Sequence, residues 1–297
     1  MARLITRRSR STPGWLFALA AAAAIACADD FEKQSFISKL RVLAVRFEPA
    51  ELIADPNAQP PKTTMAALAV TPDTAPVGMR WALCTVQQAV PPPTLDCPGT
   101  QGIDLPTSAD GVGTLDLGVE PFRTYYNQVL AGQAGVPADQ VKAQLASGVP
   151  LIVGFAARSG AQLFTGLTTV IIRSPDAARP LNHNPALVDL KVGDVPLSAD
   201  GGTPIDAGTT VRLLPVAAAD AHEDTPDAGP EKLNFSFYAT GGEVKTLRST
   251  DTTSTGQSAD PSIDFDTPKT AGPVQVWSVV RDGRGGVGWI TRDALVK

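Results

Sequence analysis

Apolar and polar residues alternate with a period of two through much of the chain, and the runs break at short clusters of Gly, Pro, Asp and Ser. That is the pattern of many short strands, each with one buried face. In the carboxy-terminal part Val188, Leu190 and Val192 alternate with Asp189 and Lys191, and Leu233, Phe235 and Phe237 alternate with Asn234, Ser236 and Tyr238. The runs TTVRLLPVA (209–217), GGEVKTL (241–247), PVQVWSVV (273–280) and GVGWITRDALV (286–296) bring the count to about seven strands in about 110 residues, the density of an antiparallel sandwich.

The amino-terminal part reads the same way in KLRVLAVRFEPAEL (39–52), TTMAALAVT (63–71), GMRWALCTV (78–86) and two runs between 149 and 174, with Ser159, Gly160 and Ala161 as a turn. Trp81 is expected in the core. One stretch has another period: Phe122, Tyr125, Tyr126, Val129 and Leu130 fall at helical spacing before Gly132, and Val141 and Leu145 mark a second helix starting at Pro137. This helical insertion, about 120–147, either caps the open end of the sheets or docks a partner.

The segment RSPDAARPLNHNP (173–185), with three prolines, reads as a linker between a domain at 39–174 and another at 186–297, with 175–185 between them. The fold class expected is mainly β: two Ig-like antiparallel β-sandwich domains, the first with a short helical insertion.

At the start, Arg3, Arg7, Arg8 and Arg10 precede an apolar run from Trp15 to Ile25, with no acid before Asp29. Eleven or so apolar residues fall short of the roughly 20 that cross a bilayer, so residues 1–26 read as a signal peptide. Ala24-Ile25-Ala26-Cys27 resembles the lipobox of bacterial lipoproteins. The resemblance implies acylation of Cys27, a mature chain beginning there, and a polar tether over 27–38. Cleavage at Ala24-Ile25-Ala26 as a plain secretory signal is the alternative. Two or three fatty chains, each methylene worth about 0.8 kcal/mol, hold a protein firmly. With Ala28 and not Asp after the cysteine, the lipoprotein sorting rule implies the outer membrane over the inner.

Removing the four arginines with the leader leaves 21 basic against 30 acidic side chains, a net of about −9. That acidity argues against a nucleic-acid partner and against a polybasic lipid-binding patch. The 26 glycines and 26 prolines indicate a folded, loop-rich chain. With Cys27 taken by lipid, Cys84 and Cys97 remain. In an exported protein they read as a disulfide worth about 3 kcal/mol, with free buried thiols or a metal site as alternatives.

The ending VQVWSVVRDGRGGVGWITRDALV resembles the closing hairpin of Ig-like domains of bacterial surface proteins, including the PKD and cadherin-like groups, with Asp282–Gly286 as the turn. No GxSxG, HExxH, P-loop or SxxK stands in a matching context, and His183 and His222 lie in polar loop segments, so no catalytic residue and no cofactor is expected. In such a fold the acidic loop 219–231 and the DGRGG turn emerge at one end, bringing Asp220, Glu223, Asp224, Asp227 and Asp282 within reach of one another. They are weak calcium candidates; a solvated acidic loop or a partner contact are the alternatives. The function expected is a non-enzymatic, membrane-anchored module that binds or scaffolds a protein or glycan. A carbohydrate-active or hydrolytic accessory enzyme, its site at the helical insertion, is the alternative.

Overall fold

A computed structural model of the chain describes residues 33–84, 102–132, 136–175, 180–225, 229–253 and 255–297. The amino-terminal half carries β1 (Arg41–Glu48), β2 (Glu51–Ile53), β3 (Lys62–Val70), β4 (Gly78–Cys84), β5 (Gly102–Asp104), β6 (Gly113–Asp116), β7 (Val149–Ser159) and β8 (Gln162–Arg173). These form a sheet of order β1-β3-β6 and another of order β2-β8-β7-β4-β5. The carboxy-terminal half carries β9 (Leu187–Val192), β10 (Val195–Pro196), β11 (Thr203–Ile205), β12 (Thr210–Ala217), β13 (Asp224–Thr225), β14 (Gly229–Pro230), β15 (Asn234–Ala239), β16 (Glu243–Val244), β17 (Arg248–Thr250), β18 (Ile263–Asp266), β19 (Gly272–Arg281) and β20 (Val287–Val296). Its sheets run β10-β9-β12-β18-β16 and β11-β20-β19-β15-β17, with β13 and β14 as a separate small hairpin.

Both halves are Ig-like sandwiches built on one plan. In each, a short early strand leaves the first sheet and pairs in parallel with the half's last strand, β2 with β8 and β11 with β20. All other named strand pairs among the described residues are antiparallel. The mainly β architecture read from the alternation is therefore the one observed.

The residues expected to fill the sandwiches do so. Trp81, Phe155, Leu83 and Met65 lie in the first core, and Leu190, Leu213, Leu233, Phe235, Phe237 and Phe265 in the second. Trp81 also donates its indole N–H to Gly111 O at 2.9 Å, which satisfies its one polar atom. Val188 departs from the expected apolar face: near the start of β9 it is 56% exposed.

Between β6 and β7 stand the helices Phe122–Ala131 and Ala138–Ser147, where the 3.6-residue stripes place them. Phe122, Tyr125, Tyr126, Val141 and Leu145 are buried within the first core, so the insertion closes that sandwich. Gly132 ends the first helix at φ +71°, and a Cβ there would lie 2.3 Å from Val141 Cγ2. Only glycine meets both the backbone and the packing requirement.

A third apolar cluster joins the halves, with Ile37, Leu43, Leu68 and Val70 on one side and Trp277, Val279 and Val287 on the other. It makes β15 and β19 two-sided strands. Ser236, expected on a solvated face, is 5% exposed, and every residue from Val276 to Val280 is buried. At the seam Arg46 stacks its guanidinium 4.7 Å from the Trp289 ring centre. Arg281 Nη2 donates to Leu43 O at 2.8 Å, and burial draws the Arg281 pKa below its ordinary value. Gln34–Lys297 is accordingly one compact unit.

Part of the segment read as a tether is built into this seam. Ile37 N donates to Ala239 O and Ala239 N to Ser35 O, each at 2.9 Å, so Phe36 bridges to Ala239 of β15 in parallel. Ile37 is 0% exposed. The fold thus takes hold of the chain before the expected boundary at Ser38.

Candidate functional site

The turn between β19 and β20 is held by its own first residue. Asp282 Oδ1 accepts the backbone N–H groups of Arg284 at 2.7 Å and of Gly285 and Gly286 at 3.0 Å. Gly283 and Gly285 take φ of +82° and +114°, values that side chains disfavour. This fixes Arg284, whose Nη1 donates to Glu223 Oε2 at 2.8 Å and to Glu231 Oε1 at 2.7 Å. The hairpin turn and the acidic loop therefore meet, as the sandwich topology implies, but through a guanidinium.

The segment read as a linker closes over this pair. Arg284 Nη2 donates to Pro180 O at 3.0 Å, and Arg173 Nη2, from the end of β8, donates to the same oxygen at 2.9 Å. One carbonyl is thus gripped by an arginine from each half. Arg173 Nε also donates to Glu51 Oε2 at 2.9 Å, an ion pair whose side chains are 2% and 0% exposed. Asn182 N donates to that same oxygen at 3.1 Å. His183 donates its backbone N–H to Glu223 Oε1 at 2.7 Å and sets Nδ1 2.5 Å from it. Asn184 Nδ2 reaches Phe47 O at 2.6 Å, while its Oδ1 accepts from Val287 N at 2.9 Å. The described residues 180–184 are bonded to both sandwiches, and a flexible connection is replaced by a clamp.

The electrostatics follow from burial. Removal from water pushes the Glu231 carboxyl above its usual range, against the pull of Arg284. Burial raises Asp282 as well, against its turn N–H groups. For Arg284, burial disfavours the charge, yet the bond to Glu231 and the fields of Glu231, Glu223 and Glu51 win and raise its pKa. Charges taken from water in this way are tolerated only while paired, because breaking such a pair costs more than the pair gains.

His222 is placed apart from that guanidinium, Nε2 3.0 Å from Asp251 Oδ2 and Nδ1 2.9 Å from Glu231 O. Both ring nitrogens face protein oxygens, which makes the ring a strut between loops. His183 is exposed but tied to a carboxylate already committed to Arg284.

Of the weak calcium candidates, Glu223 and Asp282 flank Arg284, whereas Asp220 is exposed. Asp224 contributes backbone to β13, and Asp227 lies outside the described residues. The Arg284 guanidinium is paired with Glu223 and Glu231, while Asp282 bonds only the backbone of its own turn, so the candidates do not converge on a common cation. No group of three or more His, Cys, Asp or Glu suited to a metal occurs among the described residues. Cys84 ends β4 and is 6% exposed, while Cys27 and Cys97 fall outside the described residues.

Beside the helix Ala138–Ser147 there is an open hollow of about 420 Å³, lined by Gln140, Ala143, Gln144, Ser147, Gly148, Val149 and Pro150. Neither an aromatic ring nor a carboxylate lines it. The partners Glu51, Arg173, Glu231 and Arg284 have no motif in the sequence. Their only signals are Arg173 closing an apolar strand and Arg284 standing alone among glycines.

No family model and no curated protein matches the chain. The solved structures to which the chain is similar include Ig and fibronectin(III)-like modules, all at low similarity. The chain is similar to Drosophila OTK extracellular domains 3–5 (11% identity, TM-score 0.21, covering 88% of this chain) and spans 61% of that structure's length. It is also similar to the Ig1-2 module of the Drosophila receptor phosphatase DLAR, with 11% identity, TM-score 0.25 and 87% and 99% of the two chains covered. Fibronectin(III)-like modules of Clostridium thermocellum CbhA give 10% identity, TM-score 0.23 and 85% and 93% coverage. Likeness at this level carries no function across.

Proposed function

We propose that this chain is a lipid-anchored bacterial envelope protein whose paired sandwiches act as one stiff, non-enzymatic module presenting a surface to a protein or glycan partner. The observation that supports it most is the clamp at residues 180–184 together with the apolar seam, which makes a single rigid body from two β-sandwiches. Enzymes need convergent reactive groups, and the glutamates that converge here, Glu51, Glu223 and Glu231, are each paired with an arginine. The hollow beside the helical insertion has neither the aromatic wall nor the paired acids that a glycan-hydrolysing site requires. The accessory-enzyme reading is therefore the weaker of the two.

In this reading Cys27 carries the lipid, Cys84 and Cys97 form a disulfide, and Ala28 directs the protein to the outer membrane. Metabolic labelling with a fatty-acid analogue is expected to mark the chain and to fail in Cys27→Ser, with the variant released from membranes. Equal labelling of the variant removes the anchor. Hydrolysis of a glycan or ester by the purified chain, abolished by changing one acidic residue, overturns the non-enzymatic assignment.

A further inference from the structure

The hairpin of β7 and β8 carries exposed apolar residues toward its turn. Ser159 pairs with Gln162, Arg158 with Leu163 and Ala157 with Phe164, yet Leu163 is 55%, Phe164 37% and Leu167 38% exposed. Leu163 and Leu167 share one face of β8 and Phe164 lies on the other, so the blade is apolar on both sides. Leu163 beside the turn, Leu167 farther along its face, and Phe164 on the other face, where it stacks on Phe155, leave exposed apolar surface that calls for an occupant.

The tip lies beside the place where the chain enters the fold. Gln162 Oε1 accepts the N–H of Leu40 at 2.5 Å, and Arg41 Nη1 donates to Gln34 O at 2.7 Å. Hairpin, β1 and the first residues of the body are therefore neighbours. From Cys27 to Gln34 is seven residue steps, a span of at most about 25 Å. A lipid on Cys27 keeps this corner of the molecule close to the bilayer surface.

Charge points the same way. The chain as a whole carries a net −5, but the hairpin residues 149–172 contain no acidic residue; the acids of the tether are Asp29, Asp30 and Glu32. Arg158 beside the turn and Lys39, next to the Leu40 that bonds Gln162, are exposed. An apolar blade with a basic rim suits a membrane interface bearing anionic headgroups.

We propose that the β7–β8 tip is a lipid-contacting element, with Leu163, Phe164 and Leu167 seated in the interfacial layer of the membrane that holds the chain. This rests on acylation of Cys27 and adds to it an orientation: the body leans on the membrane by its first sandwich.

The test uses the full chain, processed in a bacterial host and reconstituted in vesicles of phosphatidylethanolamine and phosphatidylglycerol with plain or brominated acyl chains. Leu163→Trp is compared with Val195→Trp, a position equally exposed at 56% on the other sandwich. The emission added by L163W is expected to be lost in brominated vesicles and that added by V195W to be kept. Protein that floats with the vesicles yet keeps both emissions overturns the contact and leaves the anchor standing. Unquenched L163W emission that shifts to the blue with rising protein concentration identifies a second copy on the tip and also overturns it. A chain that does not float shows the acylation reading to be wrong, and the orientation falls with it.

Discussion

Replacing Arg284 by alanine removes the one cation between Glu223 and Glu231, whose side chains are 14% and 5% exposed. Two nearly buried carboxylates are then left facing each other, and Pro180 O loses one of its two donors. Loss of one partner from a buried pair costs about 3–5 kcal/mol. Because Glu223 keeps His183 and some access to water, about 3 kcal/mol is expected at neutral pH.

The pH dependence identifies the cause. Burial raises Glu231 in the folded protein, and Arg284 opposes that rise. A carboxyl with a raised folded pKa favours the folded state below its unfolded value, about 4.3, and loses that contribution as pH climbs through the folded value. Without the guanidinium the folded value rises further, so the window of loss widens toward neutrality. Arg284→Ala is therefore expected to be most destabilised near pH 7 and to recover toward pH 4–5, read as urea midpoints followed by tryptophan emission. Adding Glu231→Gln to Arg284→Ala is expected to restore stability at pH 7. A midpoint unchanged by Arg284→Ala, or a loss identical at both pH values, refutes the reasoning.

Two further substitutions probe the junction. A Cβ on Gly288 would lie 1.9 Å from Pro185 O, a backbone atom that cannot swing aside, so Gly288→Ala is expected to cost about 2–3 kcal/mol in thermal or urea unfolding; a neutral result shows that the linker yields freely. Ile37 is fully buried in the seam, and Ile37→Ala is expected to cost about 3 kcal/mol and to speed proteolytic cleavage near residues 33–38; unchanged cleavage shows that the segment is held by its backbone bonds alone.

Much of the fold was legible because strands and helices write their buried faces at fixed periods. Phe235 and Phe237, the Tyr125–Tyr126 stripe and the Asp282–Gly286 turn all lie where local pattern puts them. The seam was not read, although VQVWSVV carried its mark: Val274, Val276 and Val280 fill one face while Trp277 and Val279 fill the other, a sign of two-sided burial. The clamp was less legible still. Glu51 and Arg173 are 122 residues apart and Arg284 and Glu223 are 61, and no local pattern records such pairings. A proline-rich, polar stretch looks identical whether it is solvated or wedged between two guanidinium groups.

The bridge from Phe36 to Ala239 has a consequence for biosynthesis. In a chain that emerges amino end first, residues 35–37 lack their backbone partner until β15, some two hundred residues later, has been made and folded. If Cys27 is acylated as proposed, more of the chain separates the lipid from the folded body until that bridge closes. Completion of the second sandwich then shortens that connection, so the reach of the proposed anchor is set by the last part of the protein to be made.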